Sequence, residues 1–422
     1  MSPKLLSMLK NKDLNNEQIK KDIIAGMIVA IIALPLCIAL AMSSGVSPEK
    51  GLITAIFAGF IISVFGGSKV QIGGPTAAFV VIVYGVIKNY GVEGLVIATM
   101  MAGVILIIMG LLRLGSLIKY VPKTITVGFT AGIAVSLFLT QLKDLFGFKI
   151  ADFPAKSLEK IEAYIENLST VDLETFVVGI GCVLVMTYWP NINKKIPGSI
   201  IALVLATIIV KIFSINIDTI GSVSSNISSQ IPTPYIPKVS LSKIKDLISP
   251  AFSIAVLAAI QALLSCVVTD EMIEDKHDSN TELIAQGIGN ITSALFGGMP
   301  VTGAVARTIS NVKNNGRSPI AGITHCAVLL FVMVFLMPLI KLIPMTVLSA
   351  ILVVVSYNMG DWVAFKSIVT TATYERIVLL TTFILTIALD LVFAICVGMI
   401  IHTLFNMIKN NSKEKSPIEE AV

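Results

Sequence analysis

Long apolar runs alternate with short polar breaks along almost the whole chain. Read as membrane-crossing helices, they predict about fourteen segments. The predicted bounds lie near residues 22–43, 50–66, 75–88, 92–113, 122–141, 173–188, 197–213, 249–269, 281–297, 304–313, 318–339, 343–358, 376–389 and 391–408. The third and tenth segments are too short to cross about 30 Å of hydrocarbon and predict helices that begin inside the membrane.

The composition agrees with this pattern. Of 422 residues, 55% are hydrophobic and 14% are charged, and the mean hydropathy is +0.88, which predicts an integral, all-α membrane protein in contact with a lipid bilayer. The five cysteines all fall in apolar runs without metal-ligand spacing. The net charge of +5 is modest and does not indicate nucleic-acid binding, and we expect no metal and no cofactor.

A polar stretch divides the chain into two similar halves. We predict a leader at 1–21, a first repeat at 22–213, a connecting loop at 214–248, a second repeat at 249–408 and a short tail at 409–422. Each repeat holds about seven spans, and because seven is odd, the second repeat must enter the membrane from the opposite side. Lysines at both ends of the chain predict that both termini are cytoplasmic. Lys119, Lys194 and Lys195 fall in loops on the same side.

Two pairs of sequence motifs support the repeat. The motif "LIKYVPKTI" at 117–125 matches "LIKLIPMTV" at 339–347, and "FGGSKVQIGGPTA" from Phe65 matches "FGGMPVTGA" from Phe296. Both matches occur in the same order in the two halves. The pattern is typical of secondary carriers, whose binding sites lie where corresponding helices of the two repeats are broken.

The two glycine stretches carry the candidate chemistry. Glycines permit sharp turns, and Pro75 suits the first turn of a helix, so each stretch predicts a helix start near mid-membrane. Helix N-termini present free N–H groups and a partial positive charge, which favour an anion. The alternative is that these glycines only allow close helix packing. The predicted anion-binding residues are Gly74, Pro75, Thr76, Ala77, Ala78, Thr302, Gly303, Ala304 and Val305.

Three further side chains complete the candidate site. Arg307 supplies a fixed positive charge, snorkels toward the membrane surface, or pairs with an acid. Gln261 and Ser265 lie four residues apart on one face of the eighth span, and they either face a cavity or join helices. We interpret the polar stripe of Glu282, Gln286 and Asn290, and also Asp390, as structural.

Several blocks of the sequence resemble the SulP/SLC26 family of anion transporters. They are "DIIAGMIVAIIALPLCIALAMSSGVSPEKGLITAI", "GGSKVQIGGPTAA", "GFTAGIAVSLFLTQLK" and "DSNTELIAQGIGNITSALFGGMPVTGAVARTISNVKNNGRSPIAGITH". The resemblance implies an inverted repeat of seven plus seven spans, of the UraA/SLC26 type. Spans 1–4 and 8–11 would form a core domain, and spans 5–7 and 12–14 a gate domain. The anion would bind between the starts of spans 3 and 10, and the core would move against the gate like an elevator. Members carry sulfate, bicarbonate, chloride, oxalate or dicarboxylates, and a homodimer is expected.

Two departures from the family change these expectations. Members usually carry a STAS domain after the last span, whereas this sequence ends shortly after it, which predicts either a natural short form without that domain or a trimmed sequence. The family commonly has an acidic residue at the position of Gln261, and a glutamine does not titrate or neutralise a cation. We therefore expect an exchanger or a uniporter in the inner (plasma) membrane rather than a steep Na⁺- or H⁺-driven symporter.

Three other functions remain open at the level of sequence. A nucleobase permease would share the architecture, and an anion channel or voltage-responsive protein would share the site. An intramembrane enzyme would need a convergent set of His, Asp, Ser or Cys residues, which the sequence pattern does not indicate.

Overall fold

The computed structural model of the chain describes residues 2–116, 122–193, 196–224, 227–237, 240–370, 373–389 and 391–414. Asp390, Lys119, Lys194 and Lys195, for which the sequence suggested roles, lie outside these residues, as does most of the first copy of the L-I-K motif. The described chain is almost entirely helical. Its only strands among these residues are two short ones in the glycine stretches.

The first half begins with α1 and ends before the polar connecting stretch. Its elements are α1 (Lys4–Asn11), α2 (Asn16–Ser43), α3 (Pro48–Ile53), a π-helical segment (Thr54–Ala58), α4 (Gly59–Phe65), β1 (Gly73–Gly74), a 3₁₀ turn (Ala77–Phe79), α5 (Val80–Leu111), α6 (Lys123–Phe146), α7 (Ser157–Glu166), a second 3₁₀ turn (Leu168–Thr170), α8 (Leu173–Ile192) and α9 (Gly198–Ile212).

The second half follows a short helix in the connecting stretch, α10 (Ile220–Val223). Its elements are α11 (Leu241–Ile273), α12 (Ser279–Leu295), β2 (Thr302–Gly303), α13 (Val305–Lys313), α14 (Ile320–Phe335), α15 (Met337–Ile340), α16 (Met345–Met359), α17 (Trp362–Thr370), α18 (Thr373–Ala388) and α19 (Leu391–Glu414).

Every predicted span lies on a described helix. Spans 3 and 4 together make up α5, and they meet at a break at Gly91, where φ is 69°. Seven helical stretches of the described chain are long and apolar enough to cross a membrane, and shorter apolar helices occur at Gly198–Ile212, Ile320–Phe335 and Phe393–Phe405. The all-α membrane fold is therefore confirmed.

The two halves repeat in local geometry as well as in order. Pro122 begins the fifth span with φ −64° and ψ 143°, and Pro344 begins the twelfth with φ −66° and ψ 141°. Proline suits this position because its missing N–H has no partner in the first turn of a helix. The corresponding helices α6 and α16 pack against each other. Pro197, outside the motif, begins α9 with similar angles, so the shared geometry is that of proline at a helix start, and the equivalence of the two repeats stays a prediction.

Some helices differ from the predictions. The loop predicted at 214–248 ends earlier, because α11 starts at Leu241, where the Ser240 hydroxyl accepts a hydrogen bond from the backbone N–H of Lys243. The short helices α1, α7 and α17 were not predicted, because α1 and α7 mix polar and apolar residues and α17 has only nine residues, so none of them forms a long apolar run.

Close packing around the glycine stretches depends on small residues in α5 and α12. A β-carbon on Gly103 would lie 2.7 Å from the carbonyl oxygen of Gly287, and one on Gly287 would lie 2.6 Å from that of Gly103. The two backbones therefore touch where spans 4 and 9 cross. Here glycine serves helix packing, as small residues do in membrane proteins.

Candidate functional site

The two glycine stretches lie against each other as an antiparallel strand pair. Gly73 is opposite Gly303 and Gly74 is opposite Thr302. The pairing continues outside the strands, because the backbone N–H of Ala304 donates to the Ile72 carbonyl over 2.9 Å. Backbone that is not helical is tolerated in a membrane when its polar groups are satisfied inside the protein. The predicted juxtaposition of the two stretches is present in the structure.

Gln71 holds the strand pair from behind. Its amide nitrogen donates to the Ala262 carbonyl over 3.1 Å, and its oxygen accepts from the Ser265 hydroxyl over 2.8 Å. A β-carbon on Gly303 would lie only 1.6 Å from the Gln71 amide nitrogen. A side chain at residue 303 would therefore displace the Gln71 amide from its present position.

Both helices that leave the strands begin without a side-chain cap. Thr76 precedes the 3₁₀ turn that starts α5, and Ala304 precedes α13, and neither residue makes a capping hydrogen bond. The Thr76 hydroxyl oxygen is buried and has no partner. Such helix starts leave N–H donors available and carry the positive end of the helix dipole. Ala78 is 2% exposed and Ala304 is 7% exposed, so the donors lie inside the protein.

Arg307 brings a buried cation to the same place. It lies in the first turn of α13 and is 2% exposed, so it does not reach the membrane surface. One guanidinium nitrogen, Nη2, donates to the Pro75 carbonyl over 3.1 Å, whereas Nε and Nη1 have no hydrogen-bond partner. No ion pair joins Arg307 to an acid among the described residues. Of the three roles open from the sequence, the structure favours the fixed charge.

Gly74 makes room for this guanidinium. A β-carbon on Gly74 would lie 1.9 Å from Arg307 Nη1. Residue 74 must therefore lack a side chain if Arg307 is to reach Pro75. The two glycine stretches, which we call the half-sites, are interdependent, since Gly74 of the first makes room for Arg307 beside the second.

Buried polar side chains from α12 fix the loops before the strands. One Glu282 oxygen accepts from the backbone N–H groups of Gly67 and Ser68, over 2.9 and 3.2 Å. Asn290 both donates to and accepts from the backbone of Val301, over 2.8 and 3.0 Å. These contacts agree with the structural role predicted for the α12 stripe.

The remaining predicted site residues occupy different environments. Gln261 is half-buried, whereas Ser265 is fully buried and its hydroxyl is already used by Gln71. The Thr302 hydroxyl donates to the Ala258 carbonyl over 2.7 Å. The hydroxyls of Ser265 and Thr302 are therefore used in hydrogen bonds within the protein. The Gln261 side chain is partly exposed at the protein surface.

A cavity of about 390 Å³ reaches the start of α5. Its walls come from α5, α6, α11 and α18 and from the segment before α7. Residues that line it include Ala78, Val81, Ser136, Ser157, Ser253 and Thr386. Asn89, Lys156 and Asp246 also line it, so the cavity has charged and amide groups as well as serine and threonine hydroxyls.

The sequence did not indicate that Gln71 hydrogen-bonds to both Ala262 and Ser265. It also did not indicate a series of hydrogen bonds at His277. His277 Nδ1 lies 2.7 Å from Asp270 Oδ2, and its Nε2 lies 2.9 Å from the Ser279 hydroxyl. These two hydrogen bonds hold together the loop between α11 and α12. The only signal for it was the presence of these residue types within ten positions of each other.

Comparison with known proteins agrees with the fold. A model of the sulfate permease family matches residues 19–382, which is most of the chain. The chain belongs to the sulfate permease family. It is therefore a multi-pass membrane protein of a transporter family, and the resemblance to SulP/SLC26 proteins is confirmed.

Curated relatives of the chain are transporters. It is 38% identical over 395 residues to "Putative sulfate transporter YvdB" of Bacillus subtilis, covering 93% of this chain and 74% of that protein. It is 30% identical over 413 residues to "Bicarbonate transporter BicA" of Picosynechococcus, covering 95% of this chain and 72% of that protein.

Solved structures match along the whole membrane region. The transmembrane domain of a cyanobacterial BicA matches with a TM-score of 0.81 and 28% identity, covering 92% of this chain and 98% of that domain. SLC26A9 matches with a TM-score of 0.87 and 19% identity, covering 96% of this chain and 68% of that chain. The predicted UraA/SLC26-like fold is confirmed.

Proposed function

We propose that this sulfate permease family member carries small inorganic or carboxylate anions across the membrane, with the anion bound between the starts of α5 and α13. The observation that carries the proposal is the coincidence of two uncapped helix starts with a buried guanidinium that has two unpartnered nitrogens. A buried charged donor without a partner costs on the order of 1–3 kcal/mol or more. An anion at this point would satisfy it.

The expected strength of binding suits transport. A partly buried helix N-terminus favours an anion by up to about 2 kcal/mol, and two of them contribute up to about 4 kcal/mol. With the guanidinium added, a dissociation constant between about 1 mM and about 1 μM follows, because these correspond to about 4 and 8 kcal/mol. Such an anion is held and also released.

An elevator motion is the mechanism that we propose for alternating access. The cavity at Ala78 has walls from α5 and α11, in the predicted core, and from α6 and α18, in the predicted gate. A passage between two bodies opens and closes when one slides along the other. We also propose that both termini lie in the cytoplasm, that the protein resides in the inner (plasma) membrane, and that it forms a homodimer, as family members do.

Gln261 leads us to propose exchange or uniport. Its neutral amide on α11 does not titrate, so proton coupling through this residue is not expected. The relatives include a putative sulfate transporter and a bicarbonate transporter, and we place the substrate in that class of small oxyanions.

The test combines binding with flux. Thermal-shift measurements against sulfate, bicarbonate, chloride, fumarate and oxalate identify the anion that stabilises the purified protein by mass action. Uptake of that anion into proteoliposomes is then measured for wild type, Arg307→Gln and the charge-matched control Lys366→Gln. We expect saturable uptake that requires a counter-anion or runs down the anion gradient, and its loss only in Arg307→Gln.

Three results would contradict this proposal. Strong accumulation driven by imposed Na⁺ or pH gradients would overturn the exchanger or uniporter mechanism. Unitary currents in planar bilayers would show a channel instead. Competition by uracil but not by sulfate would show a nucleobase permease.

A further inference from the structure

The helix α1 presents an apolar face that the protein does not cover. Its sequence KLLSMLKN places Leu6 and Leu9 on one side, where they are 55% and 56% exposed. Met8, on the opposite side, is 6% exposed and is the buried residue of the helix. A helix this short is not stable by itself in water, so its surroundings must hold it in place.

One edge of α1 is fastened to the body of the protein. The backbone N–H of Lys4 donates to the Gly66 carbonyl over 3.0 Å, and the Lys4 ammonium pairs with Asp275 over 3.0 Å. Gly66 follows the last residue of α4, where the second span ends. Helix α1 therefore lies beside the end of the second span.

The uncovered side of α1 is flanked by positive charge. Lys10 and Lys12 are exposed, and neither forms an ion pair within the described structure. Residues 1–21 contain five lysines and two acids, so the surroundings of α1 are basic as well. The combination of exposed leucines and adjacent lysines is typical of helices that lie in a membrane interface.

We propose that α1 is an interfacial helix that binds the anionic phospholipid surface beside the second span. Leu6 and Leu9 enter the boundary between headgroups and acyl chains, and Lys10 and Lys12 contact lipid phosphates. The occupant is a lipid surface rather than a protein, because the leucines lie at the level where α4 ends and the charge is complementary to anionic headgroups.

The proposal gives the lipid surface a direct connection to the first glycine stretch. Gly66, which accepts from Lys4, is followed by Gly67, whose N–H donates to Glu282 and whose carbonyl accepts from the backbone N–H of Asp278. Lys69, two residues before Gln71, pairs with Asp275 together with Lys4. Helix α1 and the loop that leads to β1 therefore form one hydrogen-bonded unit at the membrane surface.

Amide hydrogen exchange of the full chain in nanodiscs tests the proposal. Protection of residues 4–11 is measured in phosphatidylcholine and in phosphatidylcholine with 30% phosphatidylglycerol, for wild type, the double variant K10Q/K12Q and the control K276Q/K366Q. The control removes two exposed lysines that lie outside α1.

Each lysine near an anionic surface strengthens binding by about fivefold, so two contribute up to about 30-fold. We expect wild type and control to gain about 10- to 30-fold protection in α1 when phosphatidylglycerol is present. We expect K10Q/K12Q to lose that gain, and 0.5 M salt to reduce it in wild type because the charges are screened.

The proposal is overturned if α1 is equally protected in both lipids, or if K10Q/K12Q retains the full gain. A parallel variant, L6N/L9N, should lower the protection of α1 in both lipids, and unchanged protection would show that the leucines do not enter the bilayer. These readouts do not depend on transport, so they stand apart from failure of the proposed function.

Discussion

Replacement of Gly74 by alanine tests the interdependence of the two half-sites. The new β-carbon would lie 1.9 Å from Arg307 Nη1, whereas non-bonded atoms of these types settle at about 3.5 Å. The guanidinium must therefore withdraw by more than 1 Å, or the strand must move. Either response breaks the hydrogen bond from Nη2 to the Pro75 carbonyl.

The magnitude follows from the interactions that are lost. A hydrogen bond from a charged group contributes about 1.5–3 kcal/mol, and each 1.4 kcal/mol changes a dissociation constant tenfold. We expect Gly74→Ala to weaken anion binding by about 10- to 100-fold, while the protein still inserts and folds. Glycine 181 offers a matched control, because a β-carbon there would meet nothing within 4 Å.

The assay is anion titration by thermal shift and by proteoliposome uptake, on Gly74→Ala, Gly181→Ala and wild type. Gly181→Ala should bind like wild type. If Gly74→Ala is folded and binds the anion with wild-type affinity, then Arg307 does not contribute to the site from its position beside residue 74, and the reasoning is refuted.

Three further changes test the framework of the site and of the loops. Gln71→Met keeps the side-chain volume but leaves the Ser265 hydroxyl without its acceptor, so we expect about 2–4 kcal/mol lower stability, seen as a lower Tm; an unchanged Tm would contradict this role of Gln71. Asp22→Asn keeps the oxygen that accepts the Ser318 backbone N–H but puts an NH₂ donor in place of Oδ2, the acceptor of the Ser318 hydroxyl, so a Tm drop equivalent to about 1–3 kcal/mol is expected, whereas equal stability would show that the bond from the hydroxyl is dispensable. Lys160 in α7 is buried, which lowers its pKa from 10.5 to about 8. The burial of its positive charge therefore lowers the folding stability fully below pH 8 and no longer lowers it above about pH 10.5. The Tm advantage of Lys160→Met relative to wild type should therefore shrink by the equivalent of up to about 3 kcal/mol between pH 7 and pH 10, and a gap that is constant with pH would contradict this.

Local rules explain why much of the fold was predictable. Pro122 and Pro344 mark helix starts because proline lacks an N–H, and Gly91 breaks α5 because its φ is positive. The similarity of the two glycine stretches predicted that they meet. Each of these inferences needs only a few neighbouring residues.

The contacts behind the site depend on distant parts of the chain. Gln71 bonds to groups 191 and 194 residues away, and Arg307 donates to a carbonyl 232 residues away. The four-residue spacing on α11 made Ser265, like Gln261, a candidate to face a cavity. In the structure the Ser265 hydroxyl instead donates to Gln71 in the first glycine stretch. A single sequence does not show which polar groups become partners when two repeats interlock.

The central claim is that an anion binds between the starts of α5 and α13. A cryo-EM structure in nanodiscs, with the most stabilising anion at saturating concentration, tests it most directly. The account predicts anion density within hydrogen-bonding distance of backbone N–H groups at Ala77 and Ala78 and at the start of α13, beside the Arg307 guanidinium. Density for the anion elsewhere, with this position empty, would contradict it.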